Sequence, residues 1–256
     1  MKPHEQITAA LTQAATGDGI ALVPYITAGY PDKDEFLDTL RAIAEVADVV
    51  EVGVPFSDPM ADGVTIQRSS HQAIANGVSL RWILGELARA NDIAAPLVLM
   101  SYLNPLLAFG YAELVEACLQ SGVGGFIVPD LPLEEGADFR AALESAGLAS
   151  IQLVTPATPP DRMAQLCKLS RGFIYAVTIK GITGGATALP DDVPDYLDRV
   201  KSMATIPVCA GFGVREAAQV RQLSGHADGV IVGSALVEQL EAGNDPGQFL
   251  SSLRSG

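Results

Sequence analysis

Short runs of apolar and β-branched residues alternate along the chain with longer stretches whose apolar positions recur at helical spacing. Eight such runs are strand candidates: 20–26 (IALVPYI), 48–54 (DVVEVGV), 96–101 (PLVLMS), 124–128 (GGFIV), 149–154 (ASIQLV), 172–177 (GFIYAV), 206–210 (IPVCA) and 228–232 (DGVIV). Most are apolar almost throughout, the pattern of strands enclosed on both faces of a parallel sheet. The stretches between them predict helices near 33–46, 79–91, 111–121, 135–146, 159–169, 192–203 and 214–224, then 234–241 and 246–254. Residues 3–16 predict an extra helix ahead of the first strand. Asp32 stands where it would cap the helix at 33, and Gly122, Gly147 and Gly225 stand where helices would end.

Eight strand-then-helix units in 256 residues fit the α/β class and a (β/α)8 TIM barrel, expected to fill 1–256 as one domain. An open, doubly wound sheet is the competing architecture. Its nucleotide-binding form is disfavoured, because TAGYPDKD, not GxGxxG, follows the first strand.

Composition narrows the class. With 48% hydrophobic and 18% charged residues, the chain can bury a full core. No apolar run reaches the ~18 residues needed to cross a bilayer and no basic leader opens the chain, so a cytoplasmic protein is expected. Cys118, Cys167 and Cys209 are widely spaced and form no CxxC pair, which reads as buried thiols rather than a disulfide or zinc framework. A formal charge of −14 disfavours nucleic acid and anionic membrane. An anionic ligand would need local donors.

In a barrel of this kind the chemistry sits at the carboxyl ends of the strands. Glu51 interrupts the valines of VVEVGV, and Asp58 and Asp62 follow in the next loop. A carboxyl group in an apolar wall has its pKa raised and can shuttle a proton near neutrality. Asp62, in a polar loop, is expected to stay ionised. Such a pair separates an acid–base group from a fixed negative charge, although a cation-paired Glu51 and a turn-capping Asp62 would leave the same sequence trace. Glycines recur in GITGG (181–185), GFG (211–213) and GS (233–234), and Ser234 would open a short phosphate-binding helix after the eighth strand. Tyr25, Tyr102, Tyr175 and Phe212 fall at or near strand ends and could wall a planar apolar ligand. Lys180 is a weaker candidate, for Schiff-base chemistry. His4, His71 and His226 form no ligand or triad spacing, Trp82 and Tyr111 read as packing residues, and no metal motif occurs.

The segments VPYITAGYP (23–31), EVGVPFSDPMADGVTIQ (51–67), LMSYLNPLLAFG (99–110), VPDLPLEE (128–135), GITG (181–184), GFGV (211–214) and GVIVGSALV (229–237) together resemble the tryptophan synthase α-subunit family over nearly the whole chain. The resemblance implies a barrel that cleaves indole-3-glycerol phosphate to indole and glyceraldehyde 3-phosphate. It implies an α2β2 complex in which indole passes to a β subunit, with no cofactor in this chain and pyridoxal phosphate in the β partner. By position it makes Glu51 the acid–base and Asp62 the second essential carboxylate. Tyr25, Tyr102, Ile127 and Phe212 would line the indole pocket with Tyr175 nearby. Gly184, Gly213, Gly233 and Ser234 would take the phosphate, Thr183 would lock Asp62 on loop closure, and Pro55, Asp58 and the stretch from Asn104 to Phe109 would face β. Val64 stands where the family has proline, which is expected to loosen the loop carrying Asp62, and ATALPDD replaces the usual continuation after GITGG. A stand-alone indole-releasing lyase and a catalytically silent chain that only activates β are the alternatives.

Overall fold

The eight apolar runs pair in chain order, each parallel to the next, and the last returns to the first to close a barrel. In the computed structural model, which describes residues 1–17, 19–90, 92–178, 191–211 and 213–254, the strands are β1 (Ala21–Thr27), β2 (Val50–Gly53), β3 (Leu97–Met100), β4 (Val123–Ile127), β5 (Ala149–Val154), β6 (Ile174–Val177), β7 (Val208–Gly211) and β8 (Gly229–Val232). Around them run α1 (Pro3–Ala14), α2 (Phe36–Ala44), α3 (Val64–Ala75), α4 (Leu80–Leu87), α5 (Leu103–Phe109) and α6 (Tyr111–Ser121). The ring continues with α7 (Ala137–Ser145), α8 (Pro160–Leu169), α9 (Val193–Met203), α10 (Ala217–Leu223), α11 (Ser234–Glu241) and α12 (Pro246–Arg254).

Because side chains alternate along a strand, the buried strand residues divide between two cores. Val23, Tyr25, Val98, Ile127, Ile151, Phe173, Tyr175, Cys209 and Ile231 fill the barrel interior, while Leu22, Val50, Val52, Leu99, Phe126 and Ile174 pack outward against the helices. All three cysteines are buried and free. The extra helix α1 closes the amino end of the barrel with Ile7 and Leu11, both fully buried. A Cβ on Gly124 would lie 2.9 Å from Ile7 Cδ1, so the glycine gives that plug its seat.

Helix ends follow the glycines. Gly122 closes α6 in the left-handed conformation at φ 72°, and Gly147 and Gly225 adopt φ of 70° and 88° one residue beyond the caps of α7 and α10. Asp32 does not cap a helix: α2 starts at Phe36, and the Asp32 carboxylate instead accepts from Asp34 N–H at 2.9 Å in a local turn. Two helices, α3 and α5, lie outside every predicted helical range. His4 Nδ1 lies 2.8 Å from Gly147 O and His226 Nδ1 2.9 Å from Asp198, consistent with surface and capping roles. Trp82 packs on Phe36 and Tyr111 on Phe139.

Candidate active site

Glu51 sits in register with Tyr25 on one side and Val98 on the other, so its side chain shares their inward face while Val50 and Val52 point to the helices. It is 1% exposed, and neither carboxyl oxygen has a hydrogen-bond partner among the described residues. No cation pairs with it there. Burial, and secondarily the charge of Asp62, raise its pKa from 4.5 to about 8. At neutral pH Glu51 therefore holds a proton that no described residue takes up in a hydrogen bond.

Asp62 corrects one expectation. It does not stand in a solvated polar loop but is 7% exposed, two residues before α3. Burial raises its pKa from 3.8 to about 6, and the Tyr102 hydroxyl, donating to Oδ2 at 3.0 Å, works against that rise. The same hydroxyl accepts from Ala61 N–H at 2.9 Å, and the Tyr102 ring stacks on Phe56 with centroids 4.9 Å apart. Glu51 thus remains the weaker acid of the two. Near pH 7 the site has one protonated carboxyl and one anion, the division of labour expected of an acid–base pair.

Tyr25, Ile127 and Tyr175 are buried in the barrel interior beside Glu51, and Tyr102 stands at the start of α5. Gly53, which the sequence reading did not single out, determines the lie of Tyr25. A Cβ there would fall 2.1 Å from the Tyr25 hydroxyl oxygen, so the ring crosses the end of β2 only because position 53 carries no side chain. The Tyr25 hydroxyl lies 3.3 Å from Thr27 Oγ1, which lies 2.6 Å from Ser69 Oγ on α3. A glycine interrupting an apolar strand was the available signal for Gly53. Nothing local marked Thr27 or Ser69.

At the carboxyl end of β8 the chain runs through Gly233 straight into α11, whose first intrahelical bond is Val237 N–H to Gly233 O at 3.1 Å. The N–H groups of Ser234, Ala235 and Leu236 precede that bond and have no intrahelical acceptor. Gly213 adopts φ 91°, a backbone conformation that favours glycine. Thr183, Gly184 and Phe212, with Lys180 and the GITGG stretch, lie outside the described residues. Val64 is not a loop residue: it is the first residue of α3 and 66% exposed. Of the surface candidates, Asp58 and Asn104 are exposed and Pro55 is buried. Met60 at 72% exposure, in the loop with Asp58, and Leu107 at 54%, on α5 with Asn104, add apolar surface to the same two segments.

Comparison with known proteins decides what the barrel is. Residues 11–254 match the family described as Tryptophan synthase alpha chain. The chain belongs to the tryptophan synthase alpha chain family. It is 45% identical over 234 residues to the tryptophan synthase alpha chain of Nitratidesulfovibrio vulgaris, covering 91% of each chain. With that of Solidesulfovibrio magneticus it shares 39% identity over 250 residues, 97% of this chain and 98% of the other. Among solved structures it superposes on tryptophan synthase from Mycobacterium tuberculosis with a TM-score of 0.87 at 35% identity, covering 98% of both chains. The alpha subunit from Legionella pneumophila gives 0.84 at 33% identity, with 97% of both covered. As a member of this family it is a carbon–carbon lyase of tryptophan biosynthesis that cleaves indole-3-glycerol phosphate and works with a β subunit.

Proposed function

We propose that Glu51 and Asp62 divide the cleavage of indole-3-glycerol phosphate between them. Protonated Glu51 delivers its proton to C3 of the indole ring, which turns the ring into an indoleninium. Asp62, anionic, accepts the hydrogen bond of the ring N–H and stabilises the positive charge that develops there. The Glu51 carboxylate left behind takes the proton of the glycerol hydroxyl on the carbon next to the ring. That C–O becomes the aldehyde carbonyl, the carbon–carbon bond breaks, and its electron pair returns to the ring to give indole. Glu51 is protonated again and the cycle closes without a cofactor in this chain.

The observation that carries this reading is a buried, proton-holding carboxyl group with no described partner, beside an anionic carboxylate that Tyr102 holds. Tyr25, Ile127 and Tyr175, with Tyr102 and Phe212, wall the ring. Gly184, Gly213, Gly233 and Ser234 take the phosphate on backbone N–H groups, which suits a chain of net charge −14. Thr183 fastens Asp62 when its loop closes. Asp58 and Asn104, with the exposed Met60 and Leu107 beside them, form the face toward β in an α2β2 complex that sits in the cytoplasm. The pyridoxal phosphate of the complex belongs to the β partner.

The test is an indole-formation assay on the wild-type chain and on Glu51→Gln, with and without β. Expected are cleavage by the wild type, stimulation by β, and turnover lowered by ~10²–10⁴ in the variant while a phosphate-bearing ligand still binds. Near-normal turnover in Glu51→Gln sinks the role given to Glu51. Inactivation by borohydride in the presence of substrate would move the chemistry to a Schiff base on Lys180.

A further inference from the structure

The two ends of the site are tied together at some distance from it. Helix α11 opens at the phosphate end, and α3 starts two residues after Asp62. Two acids of α11, Glu238 and Glu241, hold α3 and its neighbours. Glu238 accepts from Thr65 Oγ1 at 3.2 Å and pairs with Arg215 of the loop after β7, two residues beyond Gly213. Glu241 accepts from Arg68 Nε at 3.0 Å and Nη2 at 2.7 Å, and from the Tyr30 hydroxyl in the loop after β1 at 2.5 Å. In an anion-binding helix two acids are unfavourable by themselves, since they repel the ligand and oppose the helix dipole. Here each is matched by one arginine, and the pairs bind three neighbouring elements to the face of α11.

We infer that Glu238 and Glu241 are positioning residues that join the phosphate-binding helix and the helix that follows Asp62 into one rigid unit, so that the site selects its substrate by the span between a phosphate and a nitrogen heterocycle. This rests on the reading of the site given above. Indole alone needs only the Asp62 end and glyceraldehyde 3-phosphate only the α11 end. Only the intact substrate needs both in register, and loss of register between reacting groups is costly in rate.

The experiment compares the wild-type chain, assembled with its β subunit, with the double variant Glu238→Gln/Glu241→Gln and with Arg68→Met, which breaks one pair from the α3 side. Affinities for indole and for glyceraldehyde 3-phosphate are measured separately, and kcat and KM with the intact substrate. Expected are fragment affinities within about twofold of wild type together with a kcat about tenfold lower on the intact substrate. The charge exchange Arg68→Glu/Glu241→Arg is expected to recover most of the loss suffered by Arg68→Met. An unchanged kcat in both variants overturns the inference, and so does an equal loss for fragments and whole substrate, which is the mark of general loosening. A wild-type complex that releases no indole overturns the underlying reading and this inference with it.

Discussion

Replacing Glu51 with Gln tests the site through stability as well as through rate. The unfolded chain releases the Glu51 proton near 4.5, whereas the folded chain keeps it to about 8. Between those values the folded state binds more protons, so the stability this group contributes is complete below 4.5 and is lost as pH rises to about 8. At about 1.4 kcal/mol per pH unit, the loss reaches about 5 kcal/mol at most. Gln has nearly the shape of the protonated acid and no charge to bury. The variant should therefore match the wild type in acid and exceed it by about 1 kcal/mol at pH 5, about 3 at pH 7 and about 5 at pH 9. Urea unfolding of both proteins at these three pH values measures the difference. Stability curves that run parallel from pH 5 to 9 would refute the placement of a proton-holding Glu51 in the barrel, whatever the variant's turnover.

The same groups set a bell-shaped dependence of kcat/KM on pH in the wild type, rising as Asp62 ionises at about 6 and falling as Glu51 loses its proton at about 8. Tyr102→Phe removes the donor that opposes the rise of the Asp62 pKa, so the acid limb should move to higher pH and activity should fall several-fold at pH 6 but little at pH 8; a limb that moves down contradicts the role given to the 3.0 Å bond. Gly53→Ala must push the Tyr25 ring away from the end of β2, and overpacking of this kind, worth about 1–3 kcal/mol, should appear in KM for the intact substrate and in the affinity for indole; unchanged values of both would show that Tyr25 does not wall the ring. Val64→Pro places proline at the first position of α3, after a Gly63 that is already extended at φ −74° and ψ 166°, and should raise stability by about 0.4–1 kcal/mol in urea unfolding, whereas a loss would mean that Val64 N–H has an acceptor.

Much of the barrel was legible because its strands are short and enclosed. All eight runs became strands, the glycines at 122, 147 and 225 fell at helix ends, and the helix expected over 3–16 became the plug α1, two residues shorter. The misses share a cause. Helix α3 begins in a loop and carries polar residues such as Thr65, Gln67, Arg68 and Ser69, and α5 has only seven residues, so neither shows an apolar stripe long enough to read. Both became helices through packing: Ile66, Ser69 and Ala73 of α3 and Leu106 of α5 are buried. Asp32 had the residue type of a cap without the position, because the chain turns once more before α2 starts.

A carboxyl group in a run of valines already implied a raised pKa, since such a run marks a strand buried on both faces, although the interior residues around Glu51, Tyr25, Val98, Ile127 and Tyr175, come from other strands. The sequence by itself determined the period of the elements, the acid in the wall and the glycines at the strand ends, each a property of a few consecutive residues. Tertiary structure alone decided that Asp62 is buried and held by Tyr102, forty residues away, that Gly53 makes room for Tyr25 on the neighbouring strand, and that Glu238 and Glu241 grip α3. These are contacts between residues distant in the chain, and barrel closure brings them together only after every strand has found its neighbour.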